Sequence, residues 1–273
     1  MLPTPENATH GGPVLSEGEE FMGESASARE ARQAELDEVI RMGTNIEQLI
    51  QELCPDGVPY RPLGELGIFV RGAGIQKSDL QSEGHPAIHY GQIHTYYGLS
   101  CFQTVSFISP EKAEKAKKAE PGDLVIVTTS EDTSAVAKAV AWEGESEVAV
   151  SGDALIFKHS LVNKYLSYVF QSGVFQSAKD RLVNGTKVRR VSPKDLGRIQ
   201  VPVPPVEVQE EIVRILDLFM TLEAELEAEL EKRRIQYAHY RDALLSFNNL
   251  SSFERERERE RESLRPGSLR SGG

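Results

Sequence analysis

The residues best equipped for chemistry cluster in two places. The first is His85-Pro-Ala-Ile-His89-Tyr-Gly-Gln-Ile-His94, followed by Thr95-Tyr96-Tyr97-Gly98. Three imidazoles at this spacing suggest a metal site, because His at i and i+4 on a helix share one face. Pro86 and Gly91 argue against a helix here, and the cluster contains no carboxylate, so a metal is not expected. The same stretch offers groups for recognition. Tyr90, Gln92 and His94 are placed on a loop-rich surface, where Gln92 has the geometry to read adenine edges; the tyrosines are equally consistent with core or rim aromatics. The second cluster runs from Lys179 to Arg198 and holds Lys179, Arg181, Lys187, Arg189, Arg190, Lys194 and Arg198 against Asp180 and Asp195. Such an excess suits a phosphate-contacting surface, with Arg189 or Arg190 available for guanine edges. A solvated basic loop would read the same way.

Motifs that activate a nucleophile or hold a nucleotide are missing. The chain has no GxSxG elbow, no GxxxxGK[ST] loop and no strand-anchored GxGxxG, and Gly72-Ala73-Gly74 is a lone small-residue turn. It also lacks the Asn-Pro-Pro-aromatic motif of adenine methyltransferases. A nuclease built on Asp123, Glu131, Asp132 and Asp153 is disfavoured, because these lie in separate turns without PD-(D/E)xK spacing. Recognition without catalysis is therefore expected, with no cofactor or metal on this chain.

Length and charge fit an α+β protein of several segments. The 273 residues carry a net charge of −11, but the acidity is uneven. Residues 1–55 hold 3 basic and 11 acidic side chains; residues 56–205 hold 17 and 16. A nucleic-acid partner is thus compatible with the central part alone. Cys54 and Cys101 are the only cysteines, which with no signal-like start suggests free thiols and a cytoplasmic location. No apolar run approaches the ~20 residues of a membrane span.

Residues 1–27, rich in Gly, Glu, Ser and Pro, read as a disordered acidic extension. Residues 28–57 read as a helical segment interrupted at Gly43 and closed by Cys54-Pro55-Asp56-Gly57. Residues 58–205 form a mixed, strand-rich domain, with strands at 67–70, 105–108, 123–127, 139–142, 148–150 and 154–157. Helices are expected over 110–119 and 162–175, and Asn184-Gly185 marks a turn. Pro204-Pro205 then stops the domain and opens a long helix, acting as a hinge. In residues 206–248, Ile212, Ile215, Phe219, Leu222 and Leu226 follow a 3-4-3-4 rhythm, the seam of a coiled coil. Such a helix needs a partner: the N-terminal helix, a second copy or another protein. Residues 249–273, with FERERERERE, read as a disordered polyampholyte. The Glu-Arg alternation is also what a slippage-prone GA repeat in a gene would encode.

Three stretches together carry a resemblance: ELCPDGVPYRPLGELGIFVRGAGI, HPAIHYGQIHTYYG and NGTKVRRVSPKDLGRIQVPVPPVEVQEEIVRIL. They resemble the specificity (S) subunit of type I restriction–modification systems over about Leu49 to Phe247. The last is the most specific, combining an apolar strand, Pro-Pro, Gln209 and the start of a long helix. The resemblance implies two target recognition domains per full-length subunit, each followed by a long helix, with the helices packed antiparallel as a ruler. It implies double-stranded DNA as ligand, and methyltransferase (M) and restriction (R) subunits as partners. S-adenosylmethionine, ATP and Mg would then reside on those partners. This chain departs by holding one recognition domain and one long helix, so a homodimer through Ile212, Ile215, Phe219, Leu222 and Leu226 is expected to read a palindromic split site. The alternative is a truncated, DNA-silent scaffold that binds the methyltransferase through its helix.

Overall fold

A computed structural model describes residues 26–246; the side chains of several residues in the first helix are not described. The expectations for residues 1–25 and 247–273, including the charged tail, lie outside the described residues. In chain order the elements are α1 (Ala26–Leu53), β1 (Tyr60–Pro62), α2 (Leu63–Leu66), β2 (Gly67–Arg71), β3 (His85–Ile88), α3 (Tyr90–Thr95), β4 (Ser100–Cys101), β5 (Ser106–Ile108), α4 (Pro110–Lys115), β6 (Lys117–Ala119) and β7 (Leu124–Val127). They continue with β8 (Thr129–Ser130), β9 (Ala139–Trp142), β10 (Val148–Val150), β11 (Ala154–His159), α5 (Asn163–Gln171), α6 (Gly173–Asp180), β12 (Arg189–Arg190), α7 (Pro193–Leu196), β13 (Gln200–Pro202) and α8 (Val206–Leu245).

The apolar runs of the middle third form a sheet covered on both faces. Its order is β2-β11-β7-β9-β4, antiparallel except for β4 against β9. Successive strand residues point to opposite faces. Leu124, Ile126, Ala139, Ala141, Leu155 and Phe157 face one core with α5 and α6. Val125, Val127, Val140, Trp142, Ala154 and Ile156 face a second core beneath the sheet β5-β3-β10-β6. Burial on both faces is why these strands read as continuous rather than alternating runs. A third cluster, with Ile75, Ile108 and Ala113, fills the outer face of the second sheet under α4. The mixed α+β class follows directly.

Several boundaries differ from expectation. Helix α1 starts at Ala26 and runs through Gly43 without a break. The expected helix over 110–119 ends at Lys115, because residues 117–119 pair with β10 as a strand. The single helix over 162–175 is two helices. Ser172 takes an extended conformation between them and its hydroxyl accepts from the Phe175 amide at 3.3 Å, starting α6. The predicted loop at 90–95 is a helix. His89 caps it, accepting from the Gly91 amide at 3.2 Å, while Gln92 Oε1 accepts from the His89 amide at 3.1 Å.

The last element leaves the domain. Helix α8 has 40 residues, ~60 Å at 1.5 Å per residue. Helix α1 packs against it and α5 docks on its beginning. Val208 and Gln209 are its buried residues, whereas Phe219, Leu226, Leu230, Tyr237, Tyr240 and Leu244 are exposed. No described helix is long and apolar enough to cross a membrane.

Candidate nucleic-acid interface

The basic cluster folds into a hairpin fastened to the main body. Asn184 and Arg190 exchange backbone hydrogen bonds of 2.9 and 2.8 Å, and β12 pairs with β8 so that Arg189 lies opposite Ser130 and Arg190 opposite Thr129. The turn needs glycine: Gly185 has φ +104°, and a Cβ there would lie 2.2 Å from the Val188 carbonyl oxygen. Lys187 and Arg190 stand exposed on this hairpin, and Arg189 is half-buried. Arg181, exposed, caps α6 nearby in the chain.

Arg190 and Arg71 share a cleft of about 300 Å³ with Thr128, Thr129, Asn184 and Ser192. The Arg71 Nε donates to the Gly152 carbonyl at 2.9 Å, and Nη2 lies 3.9 Å from Asp153. That bond fixes the guanidinium plane while its side chain stays 72% exposed, the state of an arginine organised for bidentate contact with a base or phosphate. Arg71 also borders a hollow of about 560 Å³ lined by Gln76, Lys112, Gly152 and Asp153. The adjoining Gly72 is required, since a Cβ would meet the Ser151 carbonyl oxygen at 2.2 Å.

The histidine stretch reaches the same region from another direction. At the end of α3, the His94 carbonyl lies 3.5 Å from Lys138 Nζ, and the imidazole senses both Lys138 and Asp132. Asp132 in turn sits in the field of Lys179 and Arg189, its carboxyl lowered mainly by hydrogen bonds from Ser134. His94 and the basic hairpin therefore converge on the segment 129–132, although the sequence separates them widely. Burial lowers the pKa of His85, His89 and His94. At neutral pH they are neutral rather than cationic; His89 Nδ1 accepts a hydrogen bond, whereas His85 Nε2 and both ring nitrogens of His94 are buried without a partner. Among the described residues, no cluster of His, Cys, Asp or Glu is arranged to hold a metal.

Four expected contacts need correction. His94 has both ring nitrogens buried, so it has no free edge to offer a base. Lys179 is fully buried: its ammonium donates to the Thr133 carbonyl at 2.8 Å and pairs with Asp180 at 3.0 Å. It braces the 131–136 segment and has no surface to offer a phosphate. Gln92 is engaged internally, through the His89 amide and the Ser106 hydroxyl. Tyr90 is half-buried, packs against the inter-sheet core and lies with its ring centroid 4.6 Å from that of His89, tilted by 39°. Arg71, Thr128, Asn184 and Ser192 were not legible as site residues. The one available signal was the Gly72-Ala73-Gly74 turn, whose tight backbone packing sets the strand end that carries Arg71.

The expected hinge is a bonded joint. Pro204 is buried, and Pro205 precedes α8 as its cap residue, its carbonyl accepting from the Val208 and Gln209 amides. Gln209 Nε2 donates to the Pro204 carbonyl at 2.8 Å, while its Oε1 accepts from the Val162 amide at 2.9 Å. Farther along, Asp217 receives Lys164 at 2.7 Å and the Tyr168 hydroxyl at 2.6 Å. Of the expected seam residues, Ile212 packs with Val213 against the domain core, so it belongs to this joint rather than to a free face. Ile215 and Leu222 are half-buried, and Phe219 and Leu226 are 48% and 53% exposed.

An α+β head, with Arg71, Arg190 and Asp195 lining one cleft, is joined to a long helical arm. Residues 55–232, more than half of the chain, match the family model described as Type I restriction modification DNA specificity domain, and the chain belongs to that family. A 55-residue stretch is 53% identical to the Escherichia coli type I restriction enzyme EcoR124I/EcoR124II specificity subunit, covering 18% of this chain and 14% of that protein. A putative specificity subunit of Haemophilus influenzae, S.HindORF215P, is 27% identical over 68% of this chain and 47% of its own length. These matches thus span less than half of the relatives. A chain from a solved structure concerning assembly and conformational transition of the type I R-M system superposes with a TM-score of 0.52 at 18% identity, covering 80% of this chain and 54% of that one. At that identity the likeness concerns the fold.

Proposed function

We propose that this chain is a non-catalytic, DNA-reading specificity subunit that carries one recognition head, and that two copies pair through their arms to read a split, two-fold symmetric target. In this reading methyltransferase subunits bind the helical arms and restriction subunits join them, with S-adenosylmethionine, ATP and Mg held by those partners. The observation that carries it is the Arg71–Arg190 cleft on the α+β head, mounted on an arm whose Phe219, Leu226 and Leu230 remain exposed. Phosphate contacts from Arg190, Lys187, Arg189 and Arg181 would position the head; Arg71 lies where base edges would be read.

The test uses the chain assembled with its methyltransferase. Binding to a pool of double-stranded DNA, measured between about 50 and 200 mM salt, is expected to fall linearly on a log–log plot and to enrich a bipartite motif. Sedimentation of that complex is expected to show two copies of this chain. A complex that holds the methyltransferase but ignores DNA would favour the DNA-silent scaffold, and a single copy per complex would refute the paired arms.

A further inference from the structure

The joint between head and arm combines one buried polar group, Gln209, with a partly exposed cluster at Asp217, Lys164 and Tyr168. Gln209 is 4% exposed. Its amide satisfies two backbone groups from different segments: the Val162 N–H at the start of α5 and the Pro204 carbonyl before α8. Val162 has no side-chain cap of its own, and neither does Pro205. A side-chain amide carries its acceptor and its donor on separate atoms, so it can bond both groups at once. Two turns later, Asp217 binds Lys164 and Tyr168, which are i and i+4 on α5 and so converge on one carboxylate. Between these two points Ile212 and Val213 pack on the head. The start of the arm is therefore held at two polar points bracketing an apolar patch, and rotation about any one of them is opposed by the other two.

The consequence is mechanical. From Asp217 to Leu245 the arm extends ~42 Å at 1.5 Å per residue. A rotation of about 10° at the joint would displace its far end by roughly 7 Å, about two base-pair steps at 3.4 Å each. We infer that Gln209 and Asp217 are positioning residues that set the head–arm angle, and through it the spacer length between half-sites. This rests on the DNA-reading function proposed above, and the prolines alone do not fix the angle.

Two measurements on the full chain with its methyltransferase separate the inference from that function. The first selects bipartite targets from duplexes with a random core and records spacer lengths. The second measures the distance distribution between spin labels at Ser82→Cys and Glu227→Cys, without DNA, in a Cys54→Ser, Cys101→Ala background diluted with unlabelled chain. Gln209→Leu, Gln209→Glu and Tyr168→Phe are compared with the parent. The variants are expected to keep the same half-site bases, lose at least tenfold of the preference for the parental spacer over one shifted by a base pair, and show broadened distances. Tyr168→Phe removes a single hydroxyl, so it reports even where a Gln209 variant unfolds. Parental spacing and distances in folded variants would overturn the clamp. A parent that selects no bipartite motif while its variants broaden in distance would overturn the DNA reading, and the spacing role with it.

Discussion

Lys179→Met separates a structural lysine from a DNA-contacting one. From its place in a basic run, the ammonium would be a phosphate contact; in the fold it is fully buried and bonded to the Thr133 carbonyl. A lost phosphate contact lowers the salt slope of DNA binding by about 0.9, which over a fourfold change in salt is an affinity effect of about 3.5-fold. A lost brace leaves the slope alone and acts on stability. A hydrogen bond from a charged group is worth roughly 1.5–3 kcal/mol. Part of that is offset, since methionine no longer requires burial of a charge and Asp180, with its side chain 53% exposed, stays hydrated. The expected net loss is about 1–2 kcal/mol. Arg190→Ala is the counterpart, with a slope lowered by about 0.9 and stability within about 0.5 kcal/mol of the parent. Urea unfolding of each variant and salt titration of DNA binding by each assembled complex give both numbers. A Lys179→Met chain of parental stability whose salt slope falls by about 0.9 would refute the buried-brace assignment.

Phe157 is fully buried and stacks on Phe69 with ring centroids 4.3 Å apart; Phe157→Ala should cost about 3–5 kcal/mol in urea unfolding, and a cost below about 1 kcal/mol would contradict the packing. Burial pushes the His159 imidazole from 6.5 down to about 4. The unfolded chain therefore binds a proton that the folded chain refuses, and stability is lost as pH falls from about 6.5 to about 4, by up to about 3 kcal/mol. His159→Gln should flatten that part of the stability–pH profile, and an unchanged profile would remove His159 as its cause.

The larger organisation was legible because it depends on local signals. Apolar runs at 139–142 and 148–150 form strands with those bounds, and Pro204-Pro205 marks the start of the arm. Boundaries failed where pairing or capping intervened: Lys117–Ala119 continues a helical composition but is captured by β10, and Ser172 splits one amphipathic stretch into two helices. The helix at 90–95 was missed because Gly91 was weighed by propensity, whereas His89 and Gln92 supply caps that outweigh it.

The sequence by itself determined the strand-rich head, the proline joint, the long amphipathic arm and the family, since these are written in composition, periodicity and contiguous motifs. Tertiary structure alone decided which charges are available. It buried Lys179, engaged Gln92, and brought Arg71 to a cleft with Arg190, more than a hundred residues away. It also converted Gln209 and Asp217 from ordinary helix residues into a joint. The physical reason is the same in each case. A side chain's chemistry is local, but its desolvation and its hydrogen-bond partners come from distant segments, and the linear order of residues does not specify which segments those are.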